Sequence, residues 1–225
     1  MGAAFDRSDW ESRADLSAFL GNTLLTAMGP ETSFVLDDSF WGGLPTFENA
    51  SVSSAIGGVR AAVASVRENS ERLGRDADEL CAVEFARLFI GPPSPAAVPW
   101  ESMCRFGATC GFGEATFDMR RRLREVGLEV GGEKRHYEDD MGLELLLLSV
   151  LCRRVVDALS ESASEAATEE ALAAMRSVDG YIAERPGAWS ERFAETVAEA
   201  VPDGYYAAIA RLVDAFLKSF DRACR

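Results

Sequence analysis

The sequence predicts an all-α protein folded as a single helical bundle, and three observations predict it. Apolar residues return every three or four positions in nearly every segment, no stretch alternates with period two, and glycine or proline separates several of the stripes. At 225 residues and 48% hydrophobic content, the chain can bury one substantial core. Neither an internal repeat nor a long linker divides it, so residues 1–225 are read as one domain.

The first stripe, Leu16, Phe19, Leu20, Leu24 and Ala27, follows Ser8 and Glu11 in capping-box spacing and is stopped by Gly29-Pro30. A second runs Val52, Ile56, Val59, Val63, Val66. Asp76 and Glu79 open a third helix, whose Cys81, Phe85, Leu88 and Phe89 share one face before Gly91-Pro92 breaks it. Prolines 92, 93, 95 and 99 then make a loop that is stiff by composition. The segment from Glu114 to Val126 reads as a helix with Phe117 and Leu123 inward, Arg120 to Arg122 partly outward and Gly127 as its stop. After the connector Gly131-Gly132-Glu133-Lys134 comes the most apolar helix, about Glu138 to Leu159, expected at the centre of the core. A polar turn near Ser160 to Glu170 leads to Leu172, Met175, Val178 and Ile182, then to Phe193 and Val197. A last stripe, capped by Asp203 after Pro202, carries Tyr206, Ile209, Val213, Phe216, Leu217 and Phe220.

Thirty-seven acidic residues against 23 basic ones give a net charge of -14, which repels nucleic acid and anionic membranes and attracts basic partners. The amino terminus lacks the apolar run of an export signal, and Leu143 to Cys152 is too short to span a membrane, so a cytoplasmic location is expected. The five cysteines, an odd number at irregular spacing, suit reduced thiols. Cys104 and Cys110 have no second pair, and His136 is the only histidine, so no metal site and no cofactor is expected. Catalysis is not expected either, because neither a G-x-S-x-G elbow nor an H-E-x-x-H helix is present.

Two stretches stand out. In the loop, Trp100, Glu101 and Ser102 follow the prolines; the tryptophan either plugs the core or is held where something binds. In the apolar helix, Asp139 and Asp140 stand near its start, where the exposed amides favour acid, and Glu144 lies four residues beyond Asp140 on the same face. Two carboxylates so placed repel unless a cation or a proton joins them. Arg105 and Arg87 are candidate internal partners, and a basic guest is the alternative. Glu84 and Arg87 are taken as neighbours of this site.

Together the stretches resemble the TorD/DmsD/NarJ family of redox-enzyme maturation chaperones. Its E-[YF]-x-x-L-F pattern is matched by Glu84-Phe85 through Leu88-Phe89, its P-x-E-S by Pro99 to Ser102, and its G-L helix end by MRRRLREVGL at 119–128. Its D-H-x-x-x-E-L signature falls on Asp139, Asp140 and Glu144-Leu145, with Asp140 where the family has histidine; Leu123 stands where an aromatic residue is common. The resemblance implies a cytoplasmic, non-catalytic TorD-like bundle, monomeric or a helix-exchanged dimer hinged near Gly131-Gly132. It implies a client too: the precursor of a molybdopterin-containing oxidoreductase, bound through its twin-arginine leader or its apo body until cofactor insertion. The alternative reading is a non-catalytic helical interaction module with another basic partner.

Overall fold

The computed structural model describes residues 6–91, 94–108, 112–130, 137–160 and 165–222. Among them are ten α-helices: α1 (Arg7–Leu25), α2 (Asp38–Gly42), α3 (Ala50–Leu73), α4 (Ala77–Phe85), α5 (Glu101–Cys104), α6 (Glu114–Glu125), α7 (Met141–Ser160), α8 (Glu165–Glu184), α9 (Ser190–Ala200) and α10 (Tyr205–Lys218). No strand occurs among the described residues, only one isolated bridge between Trp100 and Asp140, so the fold is all-α. Pro92, Pro93, Cys110, the 131–134 connector, His136 and Cys224 lie outside the described residues, as do positions 161–164 of the polar turn. No helix among those described is long and apolar enough to cross a membrane.

Two compact units make up the chain, one from residues 1–25, 100–189 and 220–225, the other from 26–99 and 190–219. In the first, α7 packs against both α1 and α8, as its apolar girth predicts. The α1–α7 contact rests on a pair of glycines. A Cβ on Gly21 would stand 2.7 Å from the Gly142 carbonyl oxygen, and one on Gly142 would stand 2.8 Å from the Gly21 oxygen and 2.6 Å from Leu25 Cγ. Backbone therefore meets backbone there, with Leu20, Leu24, Met141 and Leu145 buried around the crossing.

In the second unit α10 packs against α3, α9 and α4. The predicted stripes are buried: Val52, Ile56, Val59 and Val63 on α3, Cys81 and Phe85 on α4, and Tyr206, Ile209, Val213, Phe216 and Leu217 on α10. Burial pushes the Cys81 thiol up to about 12, which keeps it protonated and inert. Past Phe85 the helix widens into a π turn, Ala86–Ile90, closed by the Gly91 amide donating to the Ala86 carbonyl at 2.8 Å. Gly91 has φ 80°, and a Cβ on it would fall 2.5 Å from the Ser94 carbonyl carbon, so the sharp reversal requires glycine. The loop is then pinned to the helix it has just left, Ala96 donating to the Arg87 carbonyl at 3.1 Å and Ala97 to that of Leu88 at 2.8 Å.

Several local expectations need correction, among them the polar turn to Glu170, since α8 is already helical from Glu165. The cap of α1 is Asp6, whose carboxylate accepts from both the amide and the hydroxyl of Ser8, while Glu11 pairs with Arg7. That helix ends at Leu25, and Gly29-Pro30 instead opens a 3-10 turn, Pro30–Leu36. Phe117 is exposed: Ala115, Met119 and Leu123 share the buried face of α6, and a residue two positions past Ala115 lies about 200° round the helix from it. Finally, α7 begins at Met141, leaving Glu138, Asp139 and Asp140 before its first turn. Gly127 does end α6, with φ 78° and with the Leu128 amide reaching back to the Leu123 carbonyl at 2.9 Å.

Candidate functional site

The Trp100–Ser102 segment and the acidic start of α7 meet in the first unit. Trp100 bridges Asp140, and the Glu101 amide donates to the Asp139 carbonyl at 2.9 Å. The Asp139 side chain ties three pieces of chain together: Oδ2 accepts from the Ser102 amide and Oδ1 from the Thr116 hydroxyl, each at 2.9 Å. It is fully buried, so both bonds are made in a medium where leaving either unmade would be costly. The Trp100 ring is half-buried and stands edge-on to Tyr137 at 4.7 Å, so it is neither a core plug nor a free surface ring.

Glu101 has no exposed surface and carries an arginine on each oxygen: Arg105 Nη1 at 2.6 Å from Oε1 and Arg185 Nη1 at 2.7 Å from Oε2. Arg185 also binds Asp118 through its second nitrogen, and Asp118 accepts further from Arg122 Nε at 2.7 Å and from Arg121. Burial works against ionisation of Asp118, but these arginines outweigh it and hold its carboxyl down to about 2.

Asp140 and Glu144, the pair that required a cation or a proton, each accept from an indole N–H. Asp140 caps α7, accepting from the Gly142 amide at 2.8 Å and from the Trp100 indole. Burial, reinforced by the charge of Asp139, nevertheless raises it to about 8. Glu144 is enclosed as well; its Oε2 accepts from Trp189 Nε1 at 3.0 Å, and its Oε1 has no partner among the described residues. Burial and then the neighbouring Glu101 charge lift its carboxyl well above the ordinary range. Both groups therefore favour the proton.

Beside this network lies a cleft of about 670 Å³ lined by Ser102, Arg105, Phe106, Gly113, Glu114, Asp118, Glu184 and Arg185, among others. The Ser102 hydroxyl, buried in its wall, has no partner among the described residues. Phe106 on the rim is 60% exposed, and Phe112 and Phe117 are exposed aromatics flanking the Arg120 guanidinium, each 5.6 Å from it. No cluster of His, Cys, Asp and Glu that could hold a metal is found among the described residues.

Six of the eight sequence candidates, Trp100, Glu101, Ser102, Asp139, Asp140 and Glu144, thus gather in one unit. Glu84 and Arg87 belong to the other and serve helix ends. The Glu84 carboxylate accepts from the Tyr205 and Tyr206 amides at 3.3 and 2.8 Å, replacing the expected Asp203 as the cap of α10. Arg87 donates to the Ala200 carbonyl at the end of α9, at 3.4 Å. Sequence reading missed Thr116, Asp118, Arg185 and Trp189. Arg185 follows the end of α8 and reads from sequence as an ordinary basic helix terminus, and no spacing links it to Glu101.

Compared with known families, the chain matches the family model described as nitrate reductase delta subunit over residues 55–195. The matched span contains all eight candidates and the arginines that hold Glu101.

Proposed function

The chain belongs to the nitrate reductase delta subunit family of redox-enzyme maturation chaperones, and from that premise we propose that it binds the twin-arginine leader of a molybdoenzyme precursor. It would hold that client in the cytoplasm until cofactor insertion. The cleft beside Glu101 is the favoured seat. Its lining sets Glu114, Asp118 and Glu184 beside Arg105 and Arg185, with Glu101 buried behind them and Arg121 and Arg122 pairing with Asp118, so the acids and arginines here are close to balanced and the long-range pull on a cationic guest comes from the net charge of -14. Phe106 on the rim offers apolar surface for the segment that follows the arginines in such a leader. The observation that supports the reading is the Glu101 site itself: a buried carboxylate that already receives two guanidiniums, both from arginines that line the cleft.

Calorimetry with a leader peptide tests it. Binding is expected to weaken as salt rises and to be lost when both leader arginines become alanine. Affinity indifferent to that replacement would point instead to an interaction module with a different basic partner.

A further inference from the structure

The two arginines on Glu101 are held unequally. Arg185 is 14% exposed and has a second anchor in Asp118. Arg105 is 33% exposed, and it spends one nitrogen, Nη1, on both Glu101 Oε1 and the Glu184 carbonyl, at 2.6 and 2.8 Å. Its guanidinium rests 4.9 Å from the centre of the exposed Phe106 ring. Arg105 lines the cleft and thus covers a carboxylate buried behind it, and Ser102, whose hydroxyl has no partner among the described residues, lines the same cleft.

We infer that Glu101 is a guanidinium-exchange site: an arginine of the client peptide displaces Arg105 from Oε1 while Arg185 keeps Oε2. The inference rests on the leader-binding reading and adds which group is recognised and what gives way. Exchanging one guanidinium for another conserves charge, so Glu101 never passes through the strongly unfavourable state of a buried, unpaired ion. A planar guanidinium has donors enough for Glu101, the Glu184 carbonyl and the Ser102 hydroxyl together, and a flat face for Phe106; an ammonium has no such face. Because Arg105 is tethered, its effective concentration at Oε1 is high. A lone arginine is therefore rejected, whereas one carried on a peptide with further contacts along the cleft succeeds. Arg105 acts as a built-in stand-in for the client and sets the threshold for binding.

The test compares wild type with Arg105→Ala, using arginine amide and lysine amide as probes and thermal unfolding with calorimetry as readouts. Arginine amide is expected to raise the melting temperature of Arg105→Ala and to bind it saturably, to leave wild type unmoved, and to outperform lysine amide. A twin-arginine leader peptide is expected to bind Arg105→Ala at least about tenfold more tightly than wild type. Adding Glu101→Gln should abolish the response to arginine amide. If Arg105→Ala does not fold unaided, Arg105→Gln, which keeps a stem over Phe106, carries the same comparisons. No response of either variant to arginine amide, or a leader affinity that is unchanged or weaker, overturns the exchange; the leader reading would then still stand on arginine-dependent binding by wild type. Arginine amide filling Arg105→Ala while the leader binds neither protein leaves the exchange site standing and defeats the leader as its occupant.

Discussion

Asp140 combines two demands that usually disagree. A carboxylate at a helix start is ordinarily stabilised in its charged form, yet here burial beside Asp139 raises it to about 8 against the pull of the Gly142 amide and the Trp100 indole. The folded chain therefore keeps a proton between about pH 4 and pH 8 that the unfolded chain has lost, so this residue makes the fold less stable as pH rises through that window. The slope is at most about 1.4 kcal/mol per pH unit. Asp140→Asn preserves the cap without the charge. Urea unfolding should find it close to wild type near pH 4 and more stable at pH 8; parallel pH profiles for the two proteins would refute the assignment. Asp139 differs in role from its neighbour. Removing its side chain in Asp139→Ala strips partners from the Ser102 amide and the Thr116 hydroxyl, an expected loss of about 2 to 4 kcal/mol by denaturant titration. At this scale the sequence singled out Glu101, Asp139, Asp140 and Glu144, because a carboxylate beside a stiff loop or an apolar helix is conspicuous, and it passed over Asp118, one acid among the arginines of α6. It did not show what they bind, because Arg185 and Thr116 reach them through tertiary structure and leave no trace in spacing.

The helices were more legible than their ends. Each apolar stripe found at helical spacing has its core in a helix, since a stripe records which side of the helix is buried and needs no knowledge of what covers it. Caps are another matter. Glu84 starts α10 from more than a hundred positions away, and a Cβ on Gly204 would meet its Oε1 at 2.4 Å, so that glycine is there to admit a distant side chain. Only a local cap such as Asp203 could have been guessed. Glycines also separate helices that pack differently. Gly142→Ala drives a methyl into Gly21 and Leu25 at the α1–α7 crossing, an expected loss of about 1 to 3 kcal/mol in denaturant unfolding. Gly57→Ala on the exposed face of α3 meets nothing within 4 Å and should instead stabilise by about 0.5 to 1 kcal/mol. Effects of the same sign at both sites would show that backbone approach does not govern the crossing.

At the scale of the whole molecule, each compact unit is stitched from separated parts of the chain, which crosses between the two at 25–26, 99–100, 189–190 and 219–220. The partner that α1 packs against, α7, does not begin until Met141. A fragment of residues 1–130 should accordingly lack a cooperative thermal transition and bind a hydrophobic dye, while the full chain does neither. A cooperative transition in the fragment would mean that α1 has found cover elsewhere. The same connectivity bears on how the protein is made. As the polypeptide leaves the ribosome, Trp10, Leu20 and Leu24 emerge long before the helix that will shelter them, so biosynthesis includes an interval in which this chaperone is itself in need of protection from aggregation.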